Sequence, residues 1–421
     1  GRIHLTQDGG TNWSEVTSPQ MPRYLMFNSV EPSRHDPAVC YVAGTMYKSG
    51  DYLPYLYKTS DYGKTWKKIV KGIPDEYFTR VVREDEFVQG LLYAGTEKGM
   101  FISFDDGENW LSMQKNLPIV PVTDLAVKGN NLIAATQGRS LWMIDDLTVI
   151  HQAIKMEGHS GPVLFTPENA FRIGGNQGRT SLLEGTNHPG GVVCHFYLPE
   201  YDSKKDTVSL TFLTASGDTI RTYSNAARED ENKLKPNKGG NVFSWSMHYP
   251  AAKKFDGMVL WWASLQGAVA KTGAYKVALN VNGKSQTKEF RIVKAPDSEG
   301  THKDIESQFE FIKSVNDKVS EAHQAITDIR SMRSQVKDYA ARTGDKEVTA
   351  MAEKMDSVAT AVEQSLYQTK NKSNQDPLNF PIRLTNKLAH LNSLAGMGVN
   401  DFPPTASMIE VRNQLTELID A

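Results

Sequence analysis

The sequence predicts a multidomain, mainly β protein: a partial β-propeller at residues 1–152, an immunoglobulin- or FlgD-like β-sandwich at 160–295, and an antiparallel helical bundle at 301–421. Three observations predict this order. A short turn motif recurs in the first third of the chain, strand-like alternation without the motif fills the middle, and apolar residues spaced by three and four follow. At 421 residues the chain is long enough for two to four domains.

The recurring motif has the pattern Ser/Thr-x-Asp-x-Gly-x-Thr/Asn-Trp, and we call each copy an Asp-Gly-Trp turn. The copies are Thr6–Trp13, Thr59–Trp66 and Ser103–Trp110. The Asp can accept hydrogen bonds from amides of its own turn, the Gly permits a positive φ, and the Trp begins the next strand and packs inward. We therefore predict a structural role for nine residues: Asp8, Gly10, Trp13, Asp61, Gly63, Trp66, Asp105, Gly107 and Trp110.

An apolar strand with a small-residue turn recurs at Tyr41–Thr45, Tyr93–Thr96 and Ile133–Thr136, and the last copy leads to a decayed motif at Ile144–Asp146. Strand, turn, strand and motif together are the anatomy of a propeller blade. About three blades are present, whereas propellers close with four or more. We expect the remaining blades to precede this segment in the natural protein, or another chain to cover the gap.

These turns resemble the Asp-box, or BNR repeat, of sialidase-like and sortilin-like β-propellers. The resemblance continues along further segments: Asp51–Trp66, Arg80–Asp85, Thr136–Leu147, Gly257–Trp262, Gly273–Tyr275 and Gln368–Pro381. The chain is similar to the closing part of long, exported bacterial BNR-repeat proteins, which are often named glycosyl hydrolases. The resemblance implies a periplasmic or extracellular location.

The middle segment alternates apolar and polar residues at Val208–Phe212 and around an Asn282-Gly283 hairpin turn. Trp245, Trp261 and Trp262 could form a sugar platform, but core or interdomain packing is the favoured interpretation.

A linker at residues 295–300 precedes the helical part. A long amphipathic helix is predicted from Ile305 to about Arg342, where Thr343-Gly344-Asp345 breaks it. A second helix should reach about Lys370, and one or two more should complete a bundle.

Composition narrows the functional classes. The net charge of −2 gives no basic field for nucleic acid, and no apolar run is long enough for a membrane span. Cys40 and Cys194 fall in different predicted domains and are expected to be buried free thiols. His4 and His35 lack metal-ligand spacing, so we predict neither a metal nor a cofactor.

The strongest binding candidate is a seven-residue insertion around Met46–Tyr52, followed by a proline-stiffened run at Asp51–Tyr55. We expect five residues to border a glycan or peptide ligand: Tyr52, Tyr55, Arg83, Glu84 and Arg139. The insertion could equally be a loop that only packs on a neighbouring blade. The alternative function is a glycoside hydrolase whose active site lies mainly on blades outside this sequence. No residue here has a pattern that assigns it a catalytic role.

Overall fold

The computed structural model describes residues 1–156, 160–173, 190–396 and 401–421. The chain forms two compact units, Gly1–His159 and Ser160–Ala421. It is mainly β, with a C-terminal helical region. Residues 174–189 of the predicted sandwich and 397–400 of the predicted bundle lie outside the described residues.

The first unit is built from short antiparallel strands. They are β1 (His4–Leu5), β2 (Ser14–Glu15), β3 (Met26–Pro32), β4 (Cys40–Met46), β5 (Asp51–Thr59), β6 (Lys67–Lys68), β7 (Thr79–Glu84), β8 (Leu92–Thr96), β9 (Gly99–Ser103), β10 (Leu111–Ser112), β11 (Val122–Lys128), β12 (Asn131–Thr136) and β13 (Leu141–Ile144), followed by the helix α1 (Thr148–Ile154). They form a pair β1-β2, two four-stranded sheets β3-β4-β5-β6 and β7-β8-β9-β10, and a three-stranded sheet β11-β12-β13.

Successive sheets pack against each other through apolar cores. One core joins the β3–β6 sheet to the β7–β10 sheet through residues such as Leu56, Ile69 and Val82. The next joins the β7–β10 sheet to the β11–β13 sheet through Met100, Ile102 and neighbouring side chains. Meandering sheets stacked in series are the organisation of propeller blades, so this unit is consistent with part of a propeller.

Strand direction gives the unit two distinct ends. The end at which the Asp-Gly-Trp turns leave β1, β5 and β9 is here called the turn end. The opposite end, called the hairpin end, carries the β4–β5, β8–β9 and β12–β13 connections. The strand β5 runs from the hairpin end to the turn end. Tyr52, near its start, and Asp61, just after its last residue, therefore lie at opposite ends of the unit.

The second unit begins with two sheets over one core. The strands are β14 (Val163–Leu164), β15 (Ala170–Phe171), β16 (Val192–Leu198), β17 (Val208–Thr214), β18 (Thr219–Ser224), β19 (Gly239–Trp245), β20 (Gly273–Val281) and β21 (Lys284–Val293). The sheets are β14-β16-β19 and β15-β21-β20-β17-β18. Trp245 lies fully buried between them and stacks on Phe212 at a centroid distance of 4.6 Å. Trp245 is therefore a core residue.

Four helices follow: α2 (His302–Thr343), α3 (Lys346–Leu366), α4 (Leu384–Ala395) and α5 (Ala406–Asp420). Thr301 and Asp304 form a capping box at the start of α2, and Gly344 ends it in the left-handed region at φ 64°. The break predicted at Thr343–Asp345 lies at this point. The second helix ends at Leu366, four residues before the predicted Lys370.

The segment between β19 and β20 packs on these helices. Ala252, Leu265 and Ala268 share a core with α2 and α4. The backbone of Trp261 exchanges two hydrogen bonds of 2.8 Å with the Asn386 side chain, whereas the Trp262 ring is 66% exposed. The Trp261 and Trp262 rings contact each other edge to face at a centroid distance of 6.5 Å, whereas Trp245 is buried in the sandwich core, so the three tryptophans do not form one platform.

Candidate functional site

The three Asp-Gly-Trp turns share one hydrogen-bond network. Asp61 Oδ1 accepts from the Thr65 amide at 2.9 Å and from the Thr59 hydroxyl at 2.9 Å, and the Gly63 amide donates to the Thr59 hydroxyl at 2.9 Å. The same bonds recur in the turns of Asp8 and Asp105. Each central glycine has a positive φ, from 80° to 96°. The motif Ser or Thr, Asp and Gly groups therefore bond within their own turn, whereas Asp106 of the third turn accepts a hydrogen bond from Tyr41 at 2.6 Å.

These bonds also set the acidity of the three carboxyls. The Asn12 amide, with further bonds from its turn, lowers the pKa of Asp8 to about 2. Bonds from the Thr65 side chain and amide lower the pKa of Asp61. Burial raises the pKa of Asp105, but bonds from Asn109 outweigh it and the net pKa is lowered. All three carboxylates are therefore stabilised in their charged form.

Each later turn also docks on the preceding repeat. The Trp66 indole donates to the Val16 carbonyl, and the Trp110 indole donates to the Ile69 carbonyl, both at 2.8 Å. A Cβ on Gly63 would lie 2.6 Å from Val16 Cβ. The glycine and tryptophan are thus inter-blade contacts as well as turn residues, which the motif alone does not reveal.

Trp13 departs from the prediction that each tryptophan packs inward. It is 61% exposed and its indole donates to Gly10 of its own turn, whereas Trp110 is 2% exposed. Among the described residues, no preceding repeat offers Trp13 the apolar side chain and carbonyl that Trp66 and Trp110 receive.

The predicted insertion forms an aromatic corner at the hairpin end. Tyr47–Ser49 is a single 3₁₀ turn closed by Gly50 at φ 76°. The Tyr47 ring stacks on Phe78 at 5.1 Å, and the Tyr52 ring lies 6.1 Å from the same ring. Tyr52 remains 55% exposed. The insertion thus packs on the neighbouring sheet and still presents one aromatic ring to solvent.

Arg80 completes the aromatic corner. Its guanidinium lies 5.8 Å from the Tyr47 ring centroid and 5.2 Å from that of Phe78, and its Nε donates to Glu97 at 2.7 Å. Cation–π contact and the ion pair hold the side chain in place. Sequence reasoning placed neither Phe78 nor Arg80 at this corner, because only the fold shows that the start of β7 lies beside the β4–β5 hairpin.

Tyr55 lies inside the unit. It is 6% exposed, its hydroxyl donates to Asp51 Oδ2 at 2.6 Å, and Lys68 Nζ lies 4.4 Å from its ring centroid. Burial, with the Asp51 bond, raises the pKa of Tyr55. Tyr55 therefore supports the hairpin that carries Tyr52, and its own ring is covered.

Arg83 links three sheets. It donates to Ser29 Oγ on β3 at 2.7 Å, and to Leu125 O and Asp124 Oδ1 on β11, both at 2.8 Å. Glu31 Oε2 lies 3.4 Å from its Nη1. Burial raises the pKa of Glu31, and Arg83 opposes this shift. The arginine therefore sits in a ring of acceptors supplied by the protein.

Glu84 lies at the turn end and is 1% exposed. Its carboxylate accepts from the Gly90 amide at 3.1 Å and from the Tyr41 hydroxyl at 3.3 Å. The neighbouring Asp85 carboxylate accepts from the Tyr93 hydroxyl at 2.9 Å and lies 2.9 Å from His151 Nε2. These groups form a buried network that ties α1 and the β7–β8 connection together.

Arg139 is exposed in the β12–β13 connection at the hairpin end. Of the five predicted ligand residues, Tyr52 and Arg139 thus share the hairpin end and are exposed. Tyr55 is buried behind Tyr52, Arg83 bridges three strands, and Glu84 lies at the opposite end of the sheets. The structure does not bring all five together.

The hairpin end carries six exposed large apolar side chains: Tyr24, Met26, Tyr52, Leu53, Ile119 and Leu141. Within the described part of the chain, no cluster of three His, Cys, Asp or Glu side chains could hold a metal ion. No helix among the described residues is long and apolar enough to cross a membrane. Cys40 and Cys194 are free thiols, and burial raises the pKa of Cys40 to about 11.

The sequence matches no protein-family model and no curated protein. Among solved structures, the chain is similar to YCF48 bound to D1 peptide, with 21% identity, 34% of this chain and 44% of that chain covered, and a TM-score of 0.27. It is also similar to an ancestral GH74 enzyme, with 12% identity, coverage of 66% and 35%, and a TM-score of 0.28.

A third similar structure is the GH74 enzyme of Niastella koreensis, with 9% identity, coverage of 63% and 38%, and a TM-score of 0.24. The chain spans less than half the length of each of these proteins. TM-scores this low give no weight to what those proteins bind or catalyse.

Proposed function

We propose that the chain is part of an exported BNR-type propeller protein whose first unit binds a glycan or peptide at its hairpin end. The observation that carries the proposal is Tyr52. Its ring rests on Phe78 and is still 55% exposed, on a hairpin stiffened by Pro54 and by the Tyr55–Asp51 hydrogen bond. An aromatic ring held in one orientation contacts a ligand with little loss of entropy.

The surroundings of Tyr52 suit a partly polar ligand. Arg80 and Glu97 place paired charges beside the aromatic corner, and Arg139 adds a second guanidinium at the same end of the sheets. Exposed apolar side chains at the hairpin ends of the β3–β6 and β11–β13 sheets supply further contact area. Peptides and glycans both combine apolar faces with hydrogen-bonding groups.

The test is to screen glycan and peptide arrays with the wild-type chain and with Tyr52→Ala. We expect the variant to bind the best array ligand at least about tenfold more weakly, as loss of an aromatic anchor does. Phe104→Ala is the matched control, because Phe104 is 46% exposed in the same unit but at the turn end. Equal loss in both variants, or no loss in Tyr52→Ala, contradicts the proposal.

A second candidate function is glycoside hydrolysis, favoured by the carboxylates on either side of Arg83. Glu31 and Asp124 contact one guanidinium, so they lie within roughly 9 Å of each other, inside the about 5–10 Å span of glycosidase carboxylate pairs. The raised pKa of Glu31 suits a general acid, and the exposed Asp124 suits a base.

Hydrolysis of aryl glycosides by the wild-type chain tests this candidate, with Glu31→Gln and Asp124→Asn as variants. The hydrolase candidate requires that each substitution lowers turnover about 100-fold or more. Residual activity equal to that of the wild type in both variants would remove this pair from the reaction.

A further inference from the structure

The sheet β11-β12-β13 ends one strand earlier than its two predecessors. In the β3–β6 and β7–β10 sheets, a fourth strand follows the Asp-Gly-Trp turn and covers the third strand. After β13 the motif is decayed, and the chain enters α1, whose Ile150 and Ile154 pack on the core behind the sheet. Among the described residues, β13 therefore has a hydrogen-bonded neighbour on one side only.

The edge of β13 is apolar and open. Leu141 is 70% exposed and Met143 is 60% exposed, whereas Met100 and Ile102 in β9 are each 5% exposed. The hydrogen bonds to β12 also show which backbone groups of β13 point outward. The Thr136 amide donates to Ser140 O, so alternate residues from Ser140 face β12, and the amide and carbonyl groups of Leu141 and Met143 face away from it.

The two preceding sheets, β3–β6 and β7–β10, show which kind of strand pairs with such an edge. Trp immediately precedes β2, β6 and β10, the strands that follow the three turns, and the third residue after each Trp is apolar: Val16, Ile69 or Met113. The amide of this apolar residue donates to the third strand in all three repeats, to Ile3 O at 2.9 Å, Leu56 O at 2.9 Å and Met100 O at 2.9 Å. The following pairing of Leu111 with Ile102 completes the β9–β10 contact.

We propose that β13 is an acceptor edge for an extended strand of a partner polypeptide with the pattern Trp-x-x-apolar. In the register of the β3–β6 and β7–β10 sheets, the amide of the apolar residue donates to Leu141 O, and the residue after Trp pairs with Met143. The apolar side chain then lies opposite Leu141, as Met113 lies opposite Met100. Main-chain hydrogen bonds supply the affinity for the partner strand, and the contact of its apolar residue supplies the sequence preference.

The test uses the 421-residue chain and a fluorescent synthetic peptide with the sequence of residues 108–115, which contains one such strand. Fluorescence anisotropy should show saturable binding with half-saturation below roughly 1 mM. Met143→Pro, which removes the outward amide, should weaken binding about tenfold or more, while Met143→Val, which keeps it, should stay within about threefold.

A peptide N-methylated at the position of Met113 tests the same pairing without changing the protein. It should bind the wild-type chain about tenfold or more weakly, because the donor to Leu141 O is lost. Circular dichroism checks that Met143→Pro folds, and if it does not, the N-methylated peptide decides the question. No saturable binding of the unmodified peptide, or equal binding of both peptides, overturns the proposal.

Discussion

The two ends of the first unit are built from the same strands but differ in what their polar and aromatic groups do. At the turn end, Asp61 and its equivalents accept hydrogen bonds from within their own turns, and the indoles of Trp66 and Trp110 donate to carbonyls of the preceding repeat. At the hairpin end, Tyr52 is held from behind by Phe78 and faces solvent. The repeated turns thus stabilise the fold, whereas the insertion that interrupts the repeat presents an aromatic ring to solvent.

The largest expected effect is a difference in stability between alanine substitutions of two equivalent tryptophans at the turn end. Trp110→Ala should lower the free energy of unfolding by about 3–5 kcal/mol, because a buried indole and its bond to Ile69 O are lost. Trp13→Ala should cost below about 1 kcal/mol, since that ring is 61% exposed. Urea unfolding followed by circular dichroism compares them, and equal costs would contradict inter-blade docking as the source of stability.

This pair also shows what the sequence could and could not predict. The spacing in each turn predicts the Asp and Gly geometry, because those bonds are formed within eight residues. The burial of the Trp depends on the preceding repeat, which the local pattern does not contain. Likewise, Gly344 ends α2 as predicted, since helix termination is a local property.

The candidate site was less accessible to sequence reasoning. Tyr52 could be singled out because it lies in the one clear interruption of the repeat. Glu84 is adjacent to Arg83 in sequence, yet its side chain is buried at the turn end, because alternation along β7 and its direction decide where each group points. Phe78 and Arg80 reach the aromatic corner only through packing between two sheets.

A smaller effect is expected for glycines at equivalent positions. Gly63 and Gly10 both have left-handed φ values, 80° and 96°, so the backbone strain of an alanine is similar in both. Only at Gly63 would the new Cβ meet Val16 Cβ, at 2.6 Å. Gly63→Ala should therefore cost about 1–3 kcal/mol more than Gly10→Ala. Thermal unfolding of the two variants measures this, and an equal cost would argue against the Val16 contact.

The smallest expected effect is a pH dependence confined to the turn end. The folded pKa of Asp8 is about 2, below its ordinary 3.8, and those of Asp61 and Asp105 are also lowered. The unfolded chain therefore binds protons first, so this stabilisation is fully present above pH 3.8 and is lost as the pH falls towards about 2.

The matched comparison for this pH dependence is the triple variant Asp8→Asn, Asp61→Asn, Asp105→Asn. Its unfolding temperature should fall less steeply than that of the wild type between pH 4 and pH 2. Identical slopes for the two proteins would mean that other carboxyls govern acid unfolding.

Hydrogen–deuterium exchange with and without the best ligand from the arrays tests most directly the claim that the two ends have different roles. We expect slower exchange on binding at Met46–Leu53 and Phe78–Arg80, with no change in the turns Thr6–Trp13, Thr59–Trp66 and Ser103–Trp110. Protection of those turns, with the aromatic corner unchanged, would contradict it.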